Sequence, residues 1–577
     1  MKLCNVIFLS SLLLTAVLVV VLTAICHPLY MQLAADLNVF QWGTDYFKHM
    51  AWQPGGLLAW AGSLLQTTFA YPWLGTVIII ILVVLAGWCV CLLMKRCSPM
   101  AAAVALLMVL NFTELGYMLY VLKSPAPAIT PTLGTIAAVG IGILYGKQSK
   151  RWWRAAMLCI VAVCYGLLGC FALLAIVLCV ASRWREWQMA LLGLVLILIV
   201  PSAYDAFFNV SIPSSQVYLW PLPDLRWEGE EKWLWLPFIA EVVLLILLTA
   251  QSREQAGRGH KSLIVESFIF CMVGVWTIVG TYNDSNFNQI LRMAKAVEAE
   301  DWQTVLQTAR ATDVEPTRAE VLFRNLALSK TKRAAYEMFS YPDGDADYRS
   351  PRAASYLRLI CARPLYFHYG KVNYSYRWAM EDMVEYGQRP AYLRYLYRCA
   401  LVNDEITLAN RYRQALEKIP FQPLPFTDDD KANLQPLMGY NNLLDGDNGL
   451  IETYLLNSFS HTEGGSRELT NLSLQCVLIQ KDINAFWPRF IRLLPTFGTN
   501  IPRHYQEAVL LFAALQPQYD IRALPIDPTI SHRFDALREA ASAESQMGDE
   551  YSAQHLRPAF GDTYWYYYFF VKGLKTN

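Results

Sequence analysis

The run WLGTVIIIILVVLAGWCVCLLM, from Trp73 to Met94, decides the fold. It contains no charged residue, and as one helix it is long enough to cross the roughly 30 Å hydrocarbon core of a bilayer. Comparable apolar runs lie at 100–122, 128–146, 187–203, 234–250 and 262–281. A further run follows Lys2, from about Val6 to Ile25. At roughly 20 residues it is longer than the core of a cleaved signal peptide, so it reads as a retained first span.

The pattern changes near residue 285. From Phe287 onward, amphipathic stretches alternate with short polar breaks. Leu291, Met293, Ala294 and Val297 lead to Asp301-Trp302, which opens a second helix, and Pro316-Thr317 opens a third. The same rhythm recurs near 391–418, 450–480 and 504–516. Stacked helix pairs of this kind form a tetratricopeptide-like α-solenoid. The chain is therefore expected to be all-α, with a polytopic helical membrane domain at 1–281 and a soluble helical-repeat domain at 285–577.

Charge placement bears on the ambiguous stretch 155–182, which is apolar but interrupted by Gly166 and Gly169. If it enters and leaves on one side as a re-entrant hairpin, about twelve Lys and Arg fall on one face and about four on the other; a single span gives about nine and seven. The positive-inside rule prefers the hairpin. The expectation is then about seven full spans, a first loop at 27–71 outside the cytoplasm, and the C-terminal domain on that same outer side. Tyr71-Pro72-Trp73, Trp220 and Trp233-Leu234-Trp235 read as interfacial aromatic belts.

Composition closes off several classes. The net charge of +1 and the lack of a basic stripe give no footing for nucleic acid. The 13 cysteines lie mostly in apolar runs and make no CxxC or zinc spacing. In the second half, Cys361, Cys399 and Cys476 allow at most one disulfide. No phosphate loop, nucleophile elbow or kinase signature is present.

The polar residues of the membrane half are the candidate site. Loop 27–71 reads as two interfacial helices, about Leu29–Met50 and Gly55–Ala70, parted by Pro54-Gly55-Gly56. It places Asp36, Asp45 and His49 at the outer surface, where Asp45 first and Asp36 second are candidate bases. Both can equally be solvated loop charges. Glu114 and Glu241 fall inside spans, where a carboxylate costs about 2.5–3.5 kcal/mol unless it faces a cavity or a partner. They, with Asp205 and His49, are candidate binding residues; the alternative is that they pair with Asn111 or a tyrosine and fix helix packing. No metal ligands are assigned.

The layout of 1–281 resembles the membrane module of GT-C-type glycosyltransferases, in which two juxtamembrane helices of the first outer loop carry an acidic base or metal ligand. The resemblance implies a polyprenyl-phosphate sugar donor, and it leaves room for a divalent metal. The Asp-Glu or Asp-x-Asp pairs common in that class are missing, because Asp36 and Asp45 stand apart. Transmembrane O-mannosyltransferases with tetratricopeptide tails are a close architectural parallel. Several strings also resemble a domain-of-unknown-function family of polytopic inner-membrane proteins from Gram-negative gut anaerobes. They are Pro54-Gly55-Gly56 with Phe69-Ala70-Tyr71-Pro72-Trp73-Leu74-Gly75, Phe323-Arg324-Asn325-Leu326-Ala327-Leu328, Tyr505-Gln506-Glu507-Ala508, and Phe560-Gly561-Asp562-Thr563-Tyr564-Trp565. That resemblance implies a multi-pass inner-membrane protein with a periplasmic C-terminal domain, but no activity.

Three functions stay open. The first is transfer of sugar from a lipid-linked donor in envelope glycan assembly. The second is a non-catalytic anchor whose repeats recruit a periplasmic protein or peptide. The third is a transporter, which should show internal repeat symmetry in its spans; none is visible.

Overall fold

The computed structural model describes every residue except Met1, 113–128, 209–215, 223–234, 252–259, Tyr282, 312–313, Asp343, 345–359, 426–428, 440–445, 447–450, Glu463, 545–548 and 572–577. Among the described residues the chain is helical throughout, with no strand. It forms two compact units. Unit 1 comprises Met1–Asn283, Asp382–Arg394 and Asn410–Leu424, and unit 2 comprises Asp284–Glu381, Tyr395–Ala409 and Pro425–Asn577.

Unit 1 opens with α1 (Lys2–Val19), which continues as a π-helical stretch to Cys26. The first loop holds α2 (Pro28–Asp36), α3 (Thr44–Ala51) and α4 (Gly56–Thr67). The single helix expected over Leu29–Met50 is thus two, because the chain leaves helical geometry at Leu37 and buries Phe40 in the connection. There follow α5 (Pro72–Met94), α6 (Pro99–Leu110), α7 (Thr130–Lys147), α8 (Arg151–Val163), α9 (Tyr165–Leu168), α10 (Cys170–Ala181), α11 (Trp187–Phe208), α12 (Leu236–Gln251) and α13 (His260–Gly280). Among the described residues four helices are long and apolar enough to cross a membrane: Cys4–Cys26, Pro72–Met94, Trp187–Phe208 and Leu263–Gly280.

The core of unit 1 is α6. Pro99 and all of Ala101–Leu110 are buried, and α1, α5, α12 and α13 pack around the helix. Its start is fixed by Ser98, whose hydroxyl accepts from the Met100 amide and donates to Glu266 at 2.5 Å. Arg96 also binds Glu266, so this carboxylate is buried and paired. By contrast Leu191, Leu194, Leu198 and Ile199 on α11 are exposed. Apolar surface of that extent calls for a nonpolar surrounding.

The segment 155–182 is broken where expected. Gly169 has φ +59°, and a Cβ there would stand 2.3 Å from the Trp220 carbonyl. The helices on either side, α8 and α10, pack against each other. Arg154 and Arg183 converge on one carboxylate, Glu186, at 3.0 and 3.3 Å. The chain that leaves at Arg154 therefore returns to the same level at Arg183. Trp235, expected in an aromatic belt, is instead buried with Phe171 and Leu222.

Unit 2 begins with α14 (Ser285–Glu298), α15 (Trp302–Arg310), α16 (Arg318–Lys330), α17 (Ala334–Glu337) and α18 (Ala362–His368). Three helices, α19 (Val372–Tyr386), α20 (Pro390–Val402) and α21 (Ile406–Glu417), are shared between the units. The rest are α22 (Asp430–Leu434), α23 (Ile451–Ser460), α24 (Arg467–Ile479), α25 (Ile483–Phe497), α26 (Arg503–Leu515), α27 (Pro528–Glu544), α28 (Asp549–Phe560) and α29 (Tyr564–Phe570). Within α14–α16 and within α23–α29 each helix packs on the next. The starts follow side-chain capping: Asp301 accepts from the Thr304 amide at 3.1 Å, and Thr317 with Glu320 forms a capping box. The dense aromatics Tyr366, Tyr374 and Trp378 are core residues. The terminal aromatic run is a short helix lying against α26.

Candidate functional site

The first loop is built around Phe40. Its ring is fully buried and meets Trp42, Tyr46 and Trp60 at centroid distances of 5.2, 5.6 and 5.9 Å. Two side-chain amides tie α2 to α4: Asn38 donates to the Ser63 carbonyl at 2.6 Å, and Gln66 donates to the Ala34 carbonyl at 2.9 Å. The Pro54-Gly55-Gly56 break is a point of close backbone approach. Gly55 has φ +67°, and a Cβ on it would lie 2.9 Å from Pro221 and 3.1 Å from the Gly169 nitrogen. Its amide donates to the Tyr165 carbonyl, while the Cys170 amide donates to that of Trp220. Three distant turns thus meet where only glycine fits.

Beside this junction lies a cleft of about 680 Å³. Tyr46, His49 and Gln53 come to it from α3 and the turn that follows, Trp220 and Pro221 from the loop after α11, and Glu385 to Arg389 from the end of α19. The whole cleft belongs to unit 1. Arg389 is 1 % exposed. Its Nε donates to the Tyr386 carbonyl at 3.0 Å, and its guanidinium sits 5.5 Å from the Tyr386 ring. Burial lowers its pKa, against the pull of Tyr392, Tyr386 and Asp382. Burial also pushes the Tyr46 hydroxyl up to about 12, with Ser63 working the other way. The cleft therefore combines a held guanidinium, the exposed Glu385 carboxylate, the Tyr46 hydroxyl, side-chain amides and an indole, a lining that can hydrogen-bond to and stack on a sugar-like ligand.

The candidate residues do not all gather there. His49 lines the cleft. Asp45 is exposed in the first turn of α3, one residue before Tyr46 and one turn before His49. Asp36 is buried at the end of α2 and forms an ion pair with Arg394 at 3.1 Å. Glu241 is buried on α12, where the Asn111 amide donates to it at 2.5 Å. Asp205 is half-buried on α11, next to Tyr204, whose hydroxyl donates to the Trp52 carbonyl at 3.2 Å. Glu114 lies outside the described residues. Among the described residues no three His, Cys, Asp or Glu side chains gather as metal ligands.

Sequence reasoning missed Arg389 and Arg394. Both stand in a stretch that reads as helix–turn–helix of the second half, and only a fold shows that 382–394 belongs with the first loop. The Asp36–Arg394 pair and the bond from Gln41 to Gln388 at 2.7 Å record this, while Arg394 donates to Gln422 at 3.0 Å and the Trp42 amide donates to the Lys418 carbonyl at 2.8 Å, which brings in 410–424 as well.

Fold and site define an all-α protein with membrane-length helices and a polar cleft beside its first loop. The chain belongs to the family of unknown function DUF6057, whose model matches residues 2–423 and 470–571. No curated protein and no solved structure matches it.

Proposed function

We propose that this chain is a multi-pass protein of a bacterial inner membrane, with its C-terminal domain in the periplasm, that transfers sugar from a polyprenyl-phosphate donor in envelope glycan assembly. The observation that carries this reading is the cleft: α3 of the first loop presents Tyr46 and His49 to it, Arg389 lines it, and the exposed Asp45 precedes Tyr46 on the same helix. Asp45 takes the proton of the acceptor hydroxyl as that oxygen bonds to the sugar's anomeric carbon. The bond from that carbon to phosphate breaks, and Arg389 balances the charge left on the lipid phosphate. Asp36, engaged by Arg394, holds the end of α2 in place. Glu241 is bound to Asn111 and contributes packing. The convergence of Arg154 and Arg183 on Glu186 supports a hairpin at 155–182 and hence the outer placement of the C-terminal domain.

The test compares lipid-linked and envelope glycans by mass spectrometry in a deletion strain complemented with wild type or Asp45→Asn. A lipid-linked precursor that accumulates in the deletion and is cleared by wild type but not by Asp45→Asn supports the reading. Unchanged glycans in the deletion sink it. The second reading, a membrane-anchored scaffold recruiting periplasmic partners, is favoured by the serial helix packing of unit 2.

A further inference from the structure

We propose that unit 2 carries a separate site that binds the free C-terminal carboxylate of a peptide whose last side chain is apolar. The site is a cleft of about 470 Å³, within the roughly 300–1,000 Å³ usual for ligand pockets. All of its lining residues belong to unit 2.

Charge points to an anion. Lys330, Lys332 and Arg467 line the cleft with one acid, Glu468, so three cations less one carboxylate leave an excess of two positive charges. Two carboxylates act on Lys330, and both are already taken by Arg398, which binds Asp430 at 2.6 and 2.8 Å and Glu300 at 2.9 Å. Among the described residues Lys330 makes no hydrogen bond or ion pair of its own. Burial lowers it to about 8; Glu300 and Asp430 pull it up, and Arg398 pushes it down. An incoming carboxylate would relieve that desolvated amine. Arg467 has only a weak contact, 3.5 Å to the Thr496 carbonyl.

The amides point to a peptide. Asn433, Asn471 and Asn500 line the same cleft, each able to give and accept as a peptide bond does. The Tyr505 hydroxyl donates to Asn471 Oδ1 at 2.5 Å, which occupies the oxygen and leaves the NH2 group as the donor on offer. Leu437, Leu493 and Phe497 supply an apolar floor for one side chain. Asn433 and Arg467 fall in 424–469, outside both stretches matched by the family model, whereas Lys330 and Asn471 fall inside them.

The test uses the full chain in detergent and a pool of fluorescein-labelled hexapeptides, randomised in sequence, with free C-termini. Anisotropy should show the free-acid pool binding about tenfold or more tighter than the same pool as C-terminal amides, about 1.4 kcal/mol. Lys330→Met should lose most of that preference. Arg467→Gln, at an exposed position where folding is not at stake, should weaken binding several-fold. Equal binding of acid and amide pools overturns the proposal. So does tighter binding of labelled tri-galacturonate, or an Arg467→Gln protein that binds like wild type.

Discussion

Asp36 and Arg394 stand 358 positions apart in sequence and 3.1 Å apart in the fold, both nearly excluded from water. A carboxylate at the end of a first-loop helix is thereby fixed by a guanidinium from the second half of the chain. Removing one partner leaves the other buried without its counter-charge, which costs about 3–5 kcal/mol. Arg394→Met and Asp36→Asn should each lower the melting temperature in detergent. The double variant should lose less than the two losses added together. Strict additivity would show that the pair is not coupled.

Gly55 tests the junction of the three turns. Gly55→Ala puts a side chain at φ +67°, 2.9 Å from Pro221 and 3.1 Å from the Gly169 nitrogen. A left-handed non-glycine residue costs about 1–3 kcal/mol before any clash is counted. Protease nicking between α3 and α4 should rise sharply, while Gly146→Ala, where no atom lies within 4 Å of the new Cβ, should behave as wild type.

Trp565 tests the seat of the C-terminal helix. Its indole donates to the Glu507 carbonyl at 2.6 Å, and the Glu507 carboxylate accepts from the Tyr564 amide at 2.8 Å. Trp565→Ala empties a fully buried site and should cost about 3–5 kcal/mol. Trp565→Phe keeps most of the volume but strands the carbonyl, at about 1–3 kcal/mol. Denaturant titration followed by circular dichroism separates the two; a Trp565→Phe protein as stable as wild type would rule out a part for the hydrogen bond.

Glu320 should make unit 2 sensitive to pH. Burial raises its carboxyl from 4.5 to about 7, against hydrogen bonds from Thr317; Asp284 adds to the rise and Arg324 opposes it. Folded protein therefore holds this proton more tightly than unfolded chain. The contribution is fully present below about pH 4.5, declines as pH rises, and is gone above about 7. Thermal melts between those values should show wild type losing stability with rising pH more steeply than Glu320→Gln. Parallel slopes would contradict the assignment.

Much of the fold was legible because it rests on local rules. Asp301 and Thr317 announced helix starts, Gly169 announced a break, and Trp73–Met94 announced a helix of membrane-crossing length. The first loop was harder: residues 29–50 suit one long helix, and the burial of Phe40 that breaks it depends on Trp60 from the next helix. The candidate site was legible only in part. His49 was found from its place in the loop, whereas Arg389 lies in a stretch with no local sign of its surroundings.

By itself, then, the sequence determined helix content, the division between membrane-length and amphipathic helices, and the breaks at Gly55 and Gly169, since each follows from hydropathy, capping and backbone freedom within a few residues. Only the tertiary structure decided that Asp36 is neutralised by Arg394, that Glu241 is bound to Asn111, and that 382–394 joins the first loop to form a cleft. Those outcomes depend on which buried charges meet, and burial and pairing are properties of the packed chain, not of any one segment.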